Sequence, residues 1–270
     1  MTTLPFEPRR FRSTAAYYAR FRIPYPPALL ASIAARLAIE PGDRVLDLGC
    51  GPGMLALGFA RLGMTAVAMD PEPDMLAEAR AGAAEAGLAL ELVQGSSYDL
   101  GPHLGRFRLV TMGRSFHWMD RPATLQALDR LIVPGGALAL FHDRSIASGS
   151  NWRSLARELA AKYVPERQSM RALRQGPDWQ PHEVPLLDSA FSALESRGEI
   201  FTQELTADDL VGRAYSMSET SLDALGDHRA AFEQEFRSGL AALPGNDRFR
   251  EIVSAEAIIA FRPGEAPAVG

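Results

Sequence analysis

Short apolar runs bounded by glycine, proline or charged residues alternate along this chain with stretches of helical period. Residues 45–48, 64–70, 88–93 and 107–112 have the length and apolar density of parallel strands buried on both faces, and 131–141 reads as a helix end, a proline-glycine turn at 134–136 and a fifth strand ending at Phe141. Helical spacing over 54–62 and 73–82 separates the first three runs, and a further helix is expected over 122–130. This alternation predicts an α/β fold with a doubly wound, mostly parallel sheet. Two later strands, the alternating 200–205 and the apolar 257–261, bring the sheet to seven. Before the first strand, a helix is expected over 13–22 with Ser13 as N-cap. A second, over 27–38, puts Leu29, Leu30, Ile33 and Leu37 on one face. After the fifth strand, helices are expected over 150–163, capped by Ser150 or Asn151, from 207, and over 227–240. Residues 1–12 read as an arm, and 164–185, with Pro165, Pro177, Pro181 and Pro185, as an irregular segment.

The sharpest break follows the first strand, where Gly49, Gly51 and Gly53 occupy alternate positions before a helix. Glycine lets the backbone turn sharply and lets a ligand lie against bare peptide. The helix behind it points its N-terminal amides at that ligand. The spacing G-x-G-x-G is not the G-x-G-x-x-G of a dinucleotide loop. Asp47, at the strand end, would repel a pyrophosphate and suits a ligand carrying an ammonium group. Asp70 ends the second strand, and a right-handed crossover brings it beside the glycines. An ionised carboxylate there can accept both hydroxyls of a ribose. It can also cap the helix starting at Pro73, as can Asp74, and the roles are compatible.

The run Asp47-Leu48-Gly49-Cys50-Gly51-Pro52-Gly53 resembles motif I of the class I S-adenosylmethionine-dependent methyltransferases, and later blocks resemble the methyltransferase-11-like small-molecule group. The resemblance implies a Rossmann-like methyltransferase fold with a helical lid insertion. Its cofactor would be S-adenosylmethionine and its product S-adenosylhomocysteine, with no metal. Tyr17 to Pro26 is similar to a family block in which Tyr18 and Arg22 would reach the methionine carboxylate, a task that suits arginine's planar fork. Pro71 and Met75 would lie near the same ligand. The family often places an acid against the adenine where this chain has Ser96, a departure. Serine can still accept that hydrogen bond, and the amide of Ser97 can serve the ring. Gly113 to Asp120 resembles the family's H-W-x-D stretch, the floor between cofactor and substrate, with Ser115 on the cofactor side. His117 is then the candidate general base, or else a structural histidine capping the next helix or lining the cofactor. Trp118 reads as a packing wall. His142, Asp143 and Arg144 are substrate-facing candidates. The implied organisation is one domain over 1–270: covering helices 13–38, cofactor core 39–143, lid 144–196 and C-terminal part 197–263.

Composition narrows the partners. At 270 residues, 47% apolar and 23% charged, the chain can bury a sizeable core. A net charge of −5 offers no basic surface for nucleic acid or an anionic membrane. The single cysteine, Cys50, excludes an internal disulfide and a multi-cysteine metal site. The first residues lack a signal peptide's apolar core, and no run of ~18 apolar residues occurs. A cytoplasmic monomer or homodimer acting on a small molecule is the expectation.

Methyl transfer from a sulfonium is an in-line displacement with a pre-activated donor, so the protein mainly aligns and desolvates. Transfer to an oxygen or nitrogen is the leading expectation. A glycine loop reports binding and not turnover, so a non-methylating family member, a rearrangement catalyst or ligand-binding protein, stays open. A dinucleotide-dependent oxidoreductase is disfavoured by the glycine spacing.

Overall fold

The computed structural model describes residues 12–148, 152–165, 176, 179–244 and 248–266. Its strands are β1 (Arg44–Leu48), β2 (Thr65–Asp70), β3 (Glu91–Gln94), β4 (Phe107–Gly113), β5 (Ile132–Ser148), β6 (Ala193–Leu205) and β7 (Phe249–Phe261). They form one sheet in the order β3-β2-β1-β4-β5-β7-β6. The first five are parallel, and β7 runs antiparallel to both β5 and β6. The helices are α1 (Ala15–Phe21), α2 (Pro27–Arg36), α3 (Met54–Arg61), α4 (Pro73–Ala86), α5 (Arg121–Leu131), α6 (Trp152–Tyr163), α7 (Glu183–Leu187), α8 (Ala207–Tyr215), α9 (Leu222–Leu225) and α10 (Arg229–Ala241).

Strand residues alternate between faces, so an all-apolar strand feeds two cores. Val45 joins Leu30 and Ile33 of α2 and Phe59 of α3 on one face. Its neighbours Leu46 and Leu48 join Leu125 and Leu128 of α5 on the other. Each such fully buried side chain contributes roughly 1.5–3 kcal/mol. A third core lies among the later helices, where Trp152, Tyr215, Phe232 and Phe236 close over Leu205 and Phe249 at the far ends of β6 and β7. Chain order reverses direction between β1 and β4. The crevice outside the carboxyl ends of those strands is where open α/β sheets bind ligands.

Several elements differ from the sequence reading. β5 runs past Phe141 to Ser148, and β6 and β7 each span 13 residues. Their extra residues mix polar with apolar positions, and the polar ones pair between strands, with His142 and Arg144 of β5 both reaching Glu256 of β7. α4 continues to Ala86, and Gly87 ends it in a left-handed conformation at φ 64°. Ser13 does not cap α1; its hydroxyl accepts the Asp223 amide at 3.3 Å. In the segment expected to be irregular, Pro185 sits in the first turn of α7, where a missing N–H costs nothing. The arm at 1–11 and the expected caps at 150–151 lie outside the described residues. Among the described residues, no helix is long and apolar enough to cross a membrane.

Candidate active site

Gly49, Gly51 and Gly53 all adopt positive φ, at 67°, 55° and 81°. Two of them are fixed by crowding as well. A Cβ on Gly49 would lie 2.6 Å from Ser115 Cβ, and one on Gly53 would lie 3.0 Å from Ala79 of α4. A Cβ on Gly51 would meet open space, with Met75 Sδ at 3.9 Å the one atom near it among the described residues. The loop therefore rests on Ser115 and α4 and leaves bare peptide at Gly51.

Two carboxylates hold this loop. Asp47 is buried beneath it, accepting the Ala56 amide of α3 at 3.1 Å and the Thr111 hydroxyl at 3.0 Å. Burial lifts its pKa to about 7; the bonds from Thr111 and Ala56 pull it back, and the charge of Asp70 pushes it further up. Asp70 accepts the Gly51 amide at 2.8 Å and the Glu72 amide at 2.9 Å. Burial raises it to about 6, against the two amides and with a smaller push from Glu72.

Above the loop opens a cavity of about 910 Å³, within the range that holds small-molecule ligands. At its β2 and β3 end the walls include Gly49, Gly51, Asp70, Pro71, Met75, Ser96 and Ser97. Tyr18, Arg22, Ser115 and His117 also face it. Asp47 and Cys50 do not: they border a void of about 10 Å³ under the loop. Cys50 Sγ turns to the Gly51 carbonyl at 3.3 Å, and burial pushes its thiol well up. Gly53 faces α4 and borders neither space.

Arg22 ends α1 with its guanidinium 4.8 Å from the Tyr18 ring centroid and Nη2 donating to the Ser216 carbonyl at 3.0 Å. Its Nε is buried without a hydrogen-bond partner. Desolvation lowers its pKa, partly offset by Tyr18. Arg22 also lines the cavity, and a guanidinium there suits an incoming carboxylate. Ser96 caps a short turn, donating to Asp99 Oδ2 at 2.9 Å while accepting the Tyr98 amide at 3.3 Å. Its proton is committed within the chain, and an acceptor lone pair remains. Ser115 Oγ donates to the Leu48 carbonyl at 2.8 Å, stitching the end of β4 to the end of β1.

His117 is nearly buried, 4.8 Å from the Trp118 ring and parallel to His182 at 6.2 Å. Trp179 stands 5.7 Å from His182, and Phe116 5.4 Å. The cap of α5 is Asp120, which accepts the Ala123 amide at 3.1 Å, not His117. These rings make the second end of the cavity a flat-walled, largely apolar chamber.

Sequence reasoning missed Arg114, Glu72, Trp179 and His182, all of which border the cavity. Arg114 adopts φ 57°, pairs with Asp143, donates to the Ile23 carbonyl at 2.8 Å and lies 4.7 Å from the Tyr25 ring. It thereby fastens the N-terminal helices to the sheet edge, and its charge draws the Asp143 carboxyl down despite burial. The available signal was an arginine at the end of β4 facing an acid in the neighbouring β5. Glu72 left none, because a charged residue at a strand-to-helix turn reads as solvated. Among the described residues, no group of three or more His, Cys, Asp or Glu could hold a metal ion.

Residues 45–136 match a family model described as a methyltransferase domain. Over 116 residues the chain is 39% identical to a ubiquinone biosynthesis O-methyltransferase of Xanthomonas campestris, covering 42% of this chain and 48% of that one. The chain thus spans about half the length of the curated relatives it matches. A SAM-dependent methyltransferase of Geobacter sulfurreducens, solved with S-adenosyl-L-homocysteine, superposes with TM-score 0.52 at 18% identity over 97% of this chain and 100% of that one. A precorrin 8w decarboxylase of Methanobacterium thermoautotrophicum shares the fold at TM-score 0.51 and 11% identity, over 89% and 93% of the two chains. These matches bear out the resemblance to class I S-adenosylmethionine-dependent methyltransferases drawn from the motifs.

Proposed function

We propose that this chain is an S-adenosylmethionine-dependent methyltransferase acting on a small molecule, with an oxygen as the first choice of acceptor and a nitrogen as the second. The observation that carries the reading is the loop at Gly49–Gly51–Gly53, whose bare peptide at Gly51 faces a cavity lined by Asp70, Glu72 and Arg22. These residues fit an amino-acid-bearing nucleoside. The Arg22 guanidinium suits a carboxylate, Asp70 offers remaining lone pairs to ribose hydroxyls, and Ser96 offers one to the adenine amino group. Pro71 and Met75 give the base apolar walls, and Tyr18 and Ser115 close the space around the methionine arm. Asp47 acts from below by fixing the start of α3, so that the loop amides stay aimed at the ligand. Cys50 and Gly53 serve through backbone position and packing.

When bound, the cofactor supplies an electrophilic methyl group. The chain's own work is alignment, exclusion of water and acceptance of one proton. The chamber of Phe116, Trp118, Trp179 and His182 supports a planar, unsaturated acceptor held against ring faces. His117, in that wall, takes the acceptor's proton. The O-methyltransferase name of the Xanthomonas relative supports an oxygen acceptor.

The test is calorimetric binding of S-adenosylhomocysteine, followed by transfer of labelled methyl from S-adenosylmethionine to aromatic hydroxyl compounds. Asp70→Ala should weaken binding by about 1–3 kcal/mol through unpaired polar groups. Absence of binding by the wild type would sink the assignment. Binding without transfer to any acceptor would favour a non-methylating role.

A further inference from the structure

Glu72 lies two residues past Asp70, in the turn from β2 into α4. It occupies the N-cap position of α4, yet its side chain caps nothing. It is 7% exposed and borders the large cavity. Among the described residues its carboxylate has no hydrogen-bond or ion-pair partner. The other deeply buried acids are all satisfied. Asp47 takes Ala56 and Thr111, and Glu251 takes Arg153, Arg213 and Gln203. The Glu72 carboxylate therefore opens on the cavity as an acceptor that no described protein donor occupies. Asp70, meanwhile, has each oxygen engaged by a backbone amide of the turn.

We infer that Glu72 is a second carboxylate for the ribose diol: it accepts one hydroxyl, and Asp70, whose first duty is clamping the loop, accepts the other. This rests on the nucleoside reading of the cavity proposed above. The logic is one of donor supply. A vicinal diol brings two O–H donors into a corner that holds two acids and, among the described side chains, no donor aimed at Glu72. The ligand thus supplies what the free protein lacks there. Discrimination in favour of the intact ribose then falls partly on a residue outside the strand end.

The test is a cycle between residue and ligand. Calorimetry measures wild type, Glu72→Gln and Glu72→Asp with S-adenosylhomocysteine and with its 2′,3′-dideoxy analogue. Glu72→Gln should bind S-adenosylhomocysteine about tenfold more weakly and the dideoxy analogue as the wild type does, with Glu72→Asp between. Unliganded Glu72→Gln should melt within a degree or so of the wild-type temperature or above it, because the carboxylate makes no bond in the free protein that the amide would lose. Equal losses for both ligands, no loss for either, or a melting temperature lower than that would overturn the assignment. Failure of the wild type itself to bind S-adenosylhomocysteine would instead overturn the nucleoside reading beneath it.

Discussion

Replacing Asp47 by asparagine should make the unliganded protein more stable at pH 8. Asp47 is 1% exposed, and its folded pKa is about 7 against an ordinary 3.8. The folded carboxyl keeps its proton where the unfolded one has lost it. Folding therefore takes up a proton between those values, and stability falls as pH rises through that window. At ~1.4 kcal/mol per pH unit the cost above pH 7 is about 4 kcal/mol. Asparagine removes the charge and can keep the geometry. Its oxygen accepts the Ala56 amide, and its amide donates to Thr111 Oγ1, whose own proton turns to the Leu46 carbonyl, now 3.4 Å away. For a chain of this size, 1 kcal/mol moves the melting temperature by about 2 °C or more. Melting curves from pH 5 to 8.5 should show variant and wild type converging at the acid end and separating by several degrees at pH 8. Parallel pH profiles would refute the reasoning.

The loop glycines separate by role. Gly49→Ala drives a methyl into Ser115 and should cost about 1–3 kcal/mol in urea unfolding. Gly51→Ala meets open space, so it should unfold within about 1–2 kcal/mol of wild type yet bind S-adenosylhomocysteine poorly, since its methyl occupies the floor of the cavity. Glu251→Ala strips the carboxylate from Arg213 and Arg153, both within 3.0 Å. The loss should be about 3–5 kcal/mol, read by urea titration, with Glu251→Gln losing less because it still accepts.

The central parallel strands β1, β2 and β4 were legible because they are buried on both faces and carry almost nothing but apolar side chains, whereas β3, at the sheet edge, is partly exposed and half polar. Val45, Leu46 and Leu48 are all fully buried, and the glycines after them could mark only a turn. The antiparallel extensions were not legible. Glu251, Glu256, His142 and Arg144 are polar, and their partners lie on other strands, a relation that local patterning does not carry. In the site, Asp70 and the glycines stood out through position at strand ends. Arg114 and Glu72 did not, since a charged residue after a strand reads as solvated until the fold closes over it. Asp47 shows a subtler limit. Its location was readable, but not its direction, which is set by Thr111 across the sheet and Ala56 along the helix.

The last strand of the chain, β7, is inserted between β5 and β6. During synthesis the sixth strand therefore emerges before β7, its one strand partner among the described residues. The parallel sheet with its glycine loop can close early. The outer edge must wait for residues 249–261, and until they arrive both β5 and β6 present bare hydrogen-bonding groups to other nascent chains.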